Sequence, residues 1–132
     1  MEIRFASGEA DFEAVYRLRH DVYLEDVGAP IVATGERRLT DESDVSARQI
    51  LAEEDGRVVG CLRLQWGADA PFDAGTRHAF DLERFTAIVP EAKMGVLTRF
   101  AIVRELRGSL VSFGLLAKAC EFILEHDLDL AF

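Results

Sequence analysis

The sequence is poor in the residues that build disulfide frameworks and metal sites. It has only two cysteines, Cys61 and Cys120, each within an apolar segment and neither in a Cys-x-x-Cys pair. We therefore expect both to be reduced core residues of a cytoplasmic protein. The three histidines, His20, His78 and His126, are scattered without the spacing of metal ligands, so the sequence predicts no metal site.

Positive charge and long hydrophobic runs are also scarce. The chain has 15 Lys and Arg against 24 Asp and Glu, a formal charge of -9, so it lacks the basic face that nucleic-acid binding requires. No apolar run approaches the roughly 20 residues that cross a bilayer. The first residues, Met1–Phe5, show no basic stretch followed by an apolar one. These absences predict a cytoplasmic protein with no membrane span and no nucleic-acid partner.

Apolar residues, in contrast, are plentiful enough for one hydrophobic core. They make up 49% of the 132 positions, which favours a single globular domain over residues 1–132. Hydrophobic periodicity defines the elements, and Asp55-Gly56 marks a tight hairpin. The predicted elements are a strand over Ile3–Ala6, a helix capped by Asp11 and running to about Leu24, a polar irregular segment over Gly28–Asp44, strands over Ser46–Glu54 and Arg57–Trp66, a surface loop over Gly67–Ala79, a helical turn over Phe80–Phe85, a strand over Met94–Val103, a helix over Ser109–His126 and the start of a strand over Asp127–Phe132.

The order of these elements predicts an α+β fold with a mixed central sheet. The N-terminal strands form an antiparallel meander. A strand, a buried helix and another strand at the C-terminal end make a βαβ unit, so the last two strands should be parallel. The strand over Met94–Val103 is apolar on both faces, which is typical of a central strand covered on both sides. We therefore expect helices on both faces of the sheet.

Arg19 interrupts the apolar stripe of the first predicted helix. Val15 and Val22 lie about one turn before and after it on the same face. Two interpretations stay open: the aliphatic stem lies along the core while the head reaches water, or the guanidinium lines a ligand cleft. Arg63 presents a similar choice on the more polar face of its strand, between a surface role and a binding role.

The segment Arg104–Ser109 joins the predicted central strand to the buried helix. The first backbone N–H groups of that helix have no intrahelical acceptor, and the helix dipole adds partial positive charge there. Gly108 lets a ligand approach the backbone closely, while Arg104 and Arg107 add fixed charge. The pattern suits an anion site for a diphosphate. The alternative is an ordinary capped helix with solvated arginines.

This segment resembles the pyrophosphate loop of the GNAT superfamily of acyl-CoA-dependent N-acyltransferases. Arg107-Gly108-x-x-Val111 follows a hydrophobic strand, as in the family's Arg/Gln-x-x-Gly-x-Gly/Ala loop, although Leu110 stands where a second glycine is usual. The resemblance implies a GNAT-like three-layer fold and a site for an acyl thioester donor. The residues to which it assigns donor binding are Phe100, Ile102, Val103, Arg104, Arg107, Gly108, Ser109, Leu110 and Val111.

A narrower resemblance, to acyl-homoserine-lactone synthases and related N-acyl amino acid synthases, extends over much of the chain. Four short motifs carry it in the right order. Val96 departs from the pattern, because the lactone synthases usually carry Glu three residues before the strand arginine. This argues against a strict homoserine-lactone synthase and favours the amino-acid or general branch. The motifs are Arg19-His20-Asp21-Val22-Tyr23 (similar to Arg-x-x-x-Phe), Asp41-Glu42-Ser43-Asp44 (Asp-x-x-Asp), Gly60-Cys61-Leu62-Arg63-Leu64 (Gly-x-x-Arg-Leu) and Thr98-Arg99-Phe100 (Ser-Arg-Phe).

The narrower resemblance also implies which residues carry the reaction. When an amine attacks a thioester carbonyl, its proton must be taken up, and the developing oxyanion needs a donor such as a backbone N–H of a central strand. The two aspartates are expected to hold or deprotonate the acceptor amine; the alternative is two solvated carboxylates in a turn. The assigned residues are Asp41, Asp44 and Arg99 for catalysis and Arg19, Tyr23 and Arg63 for substrate binding.

The predicted function is N-acyl transfer from acyl-CoA or an acyl carrier protein, each a co-substrate and not a bound cofactor, to a small amine such as an amino acid. Carrier proteins are acidic, so this chain would repel one unless Arg37, Arg38, Arg104 and Arg107 form a basic patch. The resemblance implies that the usual C-terminal helix and strands are lacking, and the uncovered sheet edge would favour a homodimer. The alternative function is a non-catalytic GNAT-like acyl-CoA-binding or regulatory module.

Overall fold

The computed structural model describes residues 1–26 and 36–132. A π-helical segment, Asp21–Asp26, continues the first helix, and 3₁₀ turns cover Glu42–Val45, Glu91–Lys93 and Arg104–Leu106. The predicted irregular segment over 28–44 lies partly outside the described residues. The strands and α-helices in the described ranges are β1 (Glu2–Phe5), α1 (Glu9–His20), β2 (Arg48–Glu54), β3 (Arg57–Trp66), α2 (Ala74–Phe80), α3 (Glu83–Thr86), β4 (Met94–Ile102), α4 (Val111–Glu125) and β5 (Leu130–Ala131).

The strands form one mixed sheet in the order β1-β2-β3-β4-β5. The first three pairings are antiparallel, and β4 pairs with β5 in parallel. The parallel pairing is short: Met94 lies opposite Leu130, and Leu97 N–H donates to the Phe132 carbonyl over 2.8 Å. This topology confirms the predicted α+β class, the meander and the C-terminal βαβ unit.

Helices α1 and α4 cover opposite faces of the sheet. A Cβ at Gly60 would lie 3.1 Å from Val111 of α4, so the even positions of β3 face α4. Arg63, at an odd position, therefore faces the side of α1. A Cβ at Gly114 would lie 2.1 Å from Ile3, which shows how closely α4 approaches β1. The predicted three-layer arrangement is confirmed.

A second apolar cluster lies on the α1 side of the sheet, apart from the main core. It joins Met94 and Val96 of β4 to Phe72 and Leu82 of the α2–α3 region, all buried. Met94 and Val96 share a strand face with Thr98, which contacts Arg63. The short helices α2 and α3 therefore cover the part of the sheet that α1 does not reach.

Three local predictions are wrong for identifiable reasons. Asp11 does not cap α1: the N-cap is Gly8, and the Asp11 carboxylate pairs with Arg4 and accepts from Ser7 N–H. The predicted loop over 67–79 contains α2, because Asp73 caps that helix by accepting from Thr76 N–H. Cys120 is exposed on α4, whereas Cys61 is buried as expected.

Candidate functional site

The Asp41–Val45 turn is held together by its own two carboxylates. Asp41 Oδ1 accepts from Ser43 N–H over 3.0 Å, and Asp44 Oδ2 accepts from Asp41 N–H over 2.9 Å. This reciprocal arrangement is a capping box, which requires a side-chain acceptor at the first position and another three residues later. The Asp-x-x-Asp spacing is therefore what this capping box requires, whether or not the two residues also bind a ligand.

Three arginines converge on these carboxylates. Arg19 Nη1 donates to Asp44 Oδ1 over 2.9 Å, and Arg99 Nη2 donates to Asp41 Oδ2 over 2.6 Å. Arg63 Nη1 lies between the two acids, 2.7 Å from Asp41 Oδ1 and 3.3 Å from Asp44 Oδ1. We call Arg19, Asp41, Asp44, Arg63 and Arg99 the carboxylate–arginine cluster.

Burial differs sharply within the carboxylate–arginine cluster. The side chains of Arg19, Asp44 and Arg63 are 0%, 4% and 5% exposed, while those of Asp41 and Arg99 are 31% and 38% exposed. Of the interpretations left open, a solvated Arg19 head and a surface role for Arg63 are therefore wrong, and of the two carboxylates only Asp41 is partly exposed. Within the cluster, only the Asp41–Arg99 side is open to solvent.

The buried part of the cluster depends on Gln49 and Thr98, to which sequence reasoning assigned no role. The Gln49 side chain accepts from Arg19 Nη2 and donates to Asp44 Oδ1, and Thr98 Oγ1 accepts from Arg63 Nε over 3.0 Å. Gln49 lies directly opposite Arg63 on the β2–β3 ladder. The sequence did contain a clue to this role: a glutamine next to the apolar run of β2 needs hydrogen-bond partners if it is buried.

Asp41 is a carboxylate that stays ionised. Burial raises its pKa, but hydrogen bonds and charge from Arg99 and Arg63 outweigh burial and leave the pKa below its ordinary value. A carboxylate with a lowered pKa is a weak base. The site therefore suits Asp41 to accept a hydrogen bond from an amine more than to remove a proton from it.

A bulge in β4 lies beside the carboxylate–arginine cluster. Cys61 pairs with Ala101 and Arg63 pairs with Thr98, so Arg99 and Phe100 together oppose the single residue between Cys61 and Arg63. Arg99 has φ 55°, a left-handed conformation that costs a non-glycine residue roughly 1–2 kcal/mol. In this conformation the Arg99 side chain reaches Asp41.

Contacts from two sides fix the backbone of the bulge. The Cys61 thiol donates to the Arg99 carbonyl over 3.7 Å, and the Tyr23 hydroxyl donates to the Phe100 carbonyl over 2.8 Å. Because a peptide unit is planar and trans, the Phe100 N–H points away from Cys61. Burial raises the pKa of the Cys61 thiol to about 11, so this cysteine is a hydrogen-bond donor and not a nucleophile.

The turn before α4 leaves several backbone amides without a protein acceptor. The N–H groups of Gly108, Leu110 and Ser112 find no acceptor within 1–26 and 36–132, and α4 begins without a side-chain cap at Leu110. Gly108 has φ 81° and open space around the position of a Cβ. The amides that are engaged are those of Leu106 (to the Val103 carbonyl), Arg107 (to the Arg104 carbonyl), Ser109 (to the Leu106 carbonyl) and Val111 (to Ser109 Oγ).

A cleft of about 370 Å³ connects this turn to the β4 bulge. One wall comes from the segment after α1, a second from the end of β4, and a third from the turn and the first residues of α4. The cleft therefore places unpaired amides and the bulge along one continuous surface. Its lining residues are Val22, Tyr23, Phe100, Ala101, Ile102, Arg107, Gly108 and Ser112.

The structure separates the predicted donor-binding residues into different environments. Val103 is buried in the core, and Arg104 is exposed. Ser109, Leu110 and Val111 line a separate apolar groove with Met1 and Ile3. The predicted site residues that do line the cleft are Tyr23, Phe100, Ile102, Arg107 and Gly108.

The basic residues expected to attract a carrier protein are largely engaged elsewhere. Arg37 Nη2 lies 2.9 Å from Asp21, and Arg38 pairs with Glu13 over 2.7 Å. Arg107 Nε donates to the Ile102 carbonyl over 3.1 Å.

In the described ranges, no group of three or more His, Cys, Asp and Glu side chains could hold a metal ion. No helix there has the length and apolar character to cross a membrane.

Comparison with known proteins identifies the class. Residues 18–117 match the acetyltransferase (GNAT) domain family, and the chain belongs to that family. A search of the curated proteins found no match. The matched residues include those that line the cleft and those that form the bulge.

Solved structures refine the likeness. The CoA-dependent acyl-homoserine lactone synthase BjaI with MTA matches with TM-score 0.74 and 25% identity, covering 96% of this chain and 62% of that one. The acyl-homoserine lactone synthase LasI matches in fold with TM-score 0.72, 22% identity and coverage of 96% and 68%. A GNAT-family acetyltransferase from Staphylococcus aureus Mu50 matches with TM-score 0.63, 14% identity and coverage of 99% and 74%. The chain thus spans about three fifths of the length of BjaI.

Proposed function

We propose that this protein is an N-acyltransferase that moves an acyl group from acyl-CoA to the amine of a small acceptor. The observation that carries the proposal is the cleft that runs from the β4 bulge to the turn before α4. Its turn offers the unpaired N–H groups of Gly108 and Ser112, which suit the diphosphate of CoA. The pantetheine arm would then extend towards Phe100.

Chemistry at the bulge needs a donor for the developing oxyanion. Neither Arg99 nor Phe100 has a register partner on β3 or β5. We therefore assign the role of oxyanion donor to the Phe100 N–H. The amine nitrogen forms a bond to the acyl carbon and the carbon–sulfur bond breaks. The proton lost by the nitrogen balances the one gained by the departing thiolate. Binding both reactants side by side supplies much of the rate.

The carboxylate–arginine cluster is assigned to the acceptor. Asp41 and Arg99 are its open members, so Asp41 would hold the amine and Arg99 would attract a carboxylate on the same acceptor. The buried members of the cluster would hold this pair in position; they are Arg19, Asp44 and Arg63. An amino acid carries both groups, which makes it the acceptor class that this pairing favours.

CoA is favoured over a carrier protein as the donor. The chain has a formal charge of -9, and Arg37 and Arg38 already pair with acidic residues of the protein itself. An acidic carrier would therefore meet net repulsion. The likeness to BjaI, described as CoA-dependent, points in the same direction.

A second function, a non-catalytic acyl-CoA-binding module, is favoured by one observation. All four carboxylate oxygens of Asp41 and Asp44 accept hydrogen bonds from the protein, so neither acid is free to act as a base without rearrangement. This alternative predicts saturable CoA binding without turnover.

The two functions separate in a thiol-release screen of the full chain. Acyl-CoA donors of several chain lengths would be combined with amino acids and with amines that lack a carboxylate. We expect CoA release that depends on an amino acid and is weaker with the matching simple amine. Binding of acyl-CoA without release with any amine would contradict catalysis. Faster release from an acyl carrier donor than from acyl-CoA would contradict the donor assignment.

A further inference from the structure

Tyr23 is the residue whose chemistry the proposed function leaves unused. It lies in the π-helical segment Asp21–Asp26, just beyond α1, and its ring lines the cleft beside Phe100. The preceding residue, Val22, is buried and anchors the segment to the core. The helix motif discussed above has phenylalanine at this position, so the hydroxyl is the group that distinguishes this chain from that pattern.

The hydroxyl makes one specific contact, with the backbone of the bulge. Its oxygen lies 2.8 Å from the Phe100 carbonyl oxygen, to which it donates. Burial is the main reason why the pKa of Tyr23 is raised above its ordinary value, so the hydroxyl keeps its proton and remains a donor at neutral pH. The contact joins this helical segment to the part of β4 that has no register partner on β3 or β5.

Phe100, whose N–H is the proposed oxyanion donor, is flanked by two carbonyls that accept hydrogen bonds. On one side the Arg99 carbonyl accepts from the Cys61 thiol, and on the other the Phe100 carbonyl accepts from Tyr23. The thiol contact is long and thiols are weak donors, whereas the phenol contact is short and strong. The Phe100 N–H shares a peptide plane with the Arg99 carbonyl, which the Cys61 contact restrains only weakly. The stronger restraint on Phe100 comes from the Tyr23 contact with its other peptide.

We propose that Tyr23 is a positioning residue for acyl transfer: its hydroxyl holds the peptide between Phe100 and Ala101 and so restrains the residue whose N–H would face the thioester oxygen. This inference rests on the proposed function. It assigns Tyr23 no proton transfer. The hydroxyl acts through the backbone, so its removal should slow the chemical step and leave donor binding nearly intact.

The test replaces only the hydroxyl. In Tyr23→Phe we expect kcat to fall about tenfold, with the KM for acyl-CoA within about twofold of the parent, because a misaligned oxyanion donor loses part of its stabilisation. Tyr16→Phe is the matched control, since Tyr16 lies on α1 and its hydroxyl makes no hydrogen bond within the described residues. It should leave both constants unchanged.

Two further outcomes would overturn the proposal. If kcat stayed the same and KM rose, the hydroxyl would contact the donor itself. If Tyr23→Phe removed the basic or acidic limb of the pH profile of kcat, the hydroxyl would be a proton donor; positioning predicts the same fractional loss at every pH.

A backbone measurement separates this inference from the proposed function. The ¹⁵N and ¹H shifts of the Phe100 and Ala101 amides should change in Tyr23→Phe and stay constant in Tyr16→Phe, whether or not the protein turns over. If the Phe100 chemical shifts change in Tyr23→Phe but the parent releases no thiol, the bulge contact stands and acyl transfer is rejected. Unchanged Phe100 and Ala101 shifts in Tyr23→Phe would reject the positioning role even in an active enzyme.

Discussion

The carboxylate–arginine cluster and the turn before α4 are both polar regions next to the β4 bulge, yet they satisfy their polar groups in opposite ways. In the cluster, Asp41 and Asp44 have every oxygen engaged by the protein. In the turn, Gly108 and Ser112 present N–H groups without protein acceptors. A saturated polar network rigidifies a site, whereas open amides are free to bind a ligand. The buried part of the first region is suited to support, and the second region is suited to bind an anion such as the diphosphate of the proposed donor.

The largest effect is expected where the cluster is most buried. Asp44→Ala would leave Arg19, 0% exposed, without its charge partner. Breaking a buried ion pair on one side costs about 3–5 kcal/mol of unfolding free energy, and urea unfolding of the variant and parent would measure it. Asp69→Ala is the control, because it removes a partly exposed pair with Arg48, worth about 1 kcal/mol or less. Equal losses in the two variants would remove the distinction between supporting and surface charges.

A smaller effect is expected at the open edge of the cluster, and it depends on pH. The pKa of Asp41 is lowered in the folded protein, so its ion pairs stabilise the fold above the ordinary pKa of an aspartate, and that stability is lost as pH falls through the lowered value. Asp41→Asn should therefore reduce stability by about 1 kcal/mol near neutral pH. The difference from the parent should stay nearly constant from pH 7 to about pH 4 and shrink below about pH 4 in unfolding experiments. A difference that grows on acidification would contradict the ionised assignment.

The smallest effect is expected from the exposed charge beside the turn. Arg104→Ala should weaken CoA binding only about twofold to threefold at low salt, because a solvated charge acts through a screened field. The loss should vanish near about 0.5 M salt, and titration calorimetry at two salt concentrations would show it. A loss that persists at high salt would mean that Arg104 touches the ligand directly.

The fold was largely predictable because its pattern is local. The alternation over Arg57–Trp66 and the Asp55-Gly56 turn define β3 with the bounds that the structure shows. The site was less predictable because two bulges set its geometry. Counting from the hairpin turn puts Gln49 opposite Leu62, but the irregularity between Ala52 and Glu53 moves it opposite Arg63. A one-residue shift of this kind decides which side chains share a face.

Arg19 shows a second limit of sequence reasoning. Its place on an apolar stripe indicated that the side chain points inward, but not whether its head would be solvated or paired. The deciding partners, Asp44 and Gln49, lie 25 and 30 residues away in the chain. Local periodicity carries no information about contacts of that range, so an inward-facing charge can be recognised from sequence while its function cannot.

The central claim, that the open amides of the turn hold the diphosphate of CoA, is tested most directly by comparing CoA with pantetheine in a binding assay. Gly108→Asp places a carboxylate at the turn. Gly56→Asp is the matched control, because Gly56 has φ 76°, close to the 81° of Gly108, and equally open surroundings. We expect Gly108→Asp to weaken CoA binding by at least about tenfold and to leave pantetheine binding unchanged, with Gly56→Asp altering neither. CoA affinity equal to that of the parent in Gly108→Asp would contradict the account.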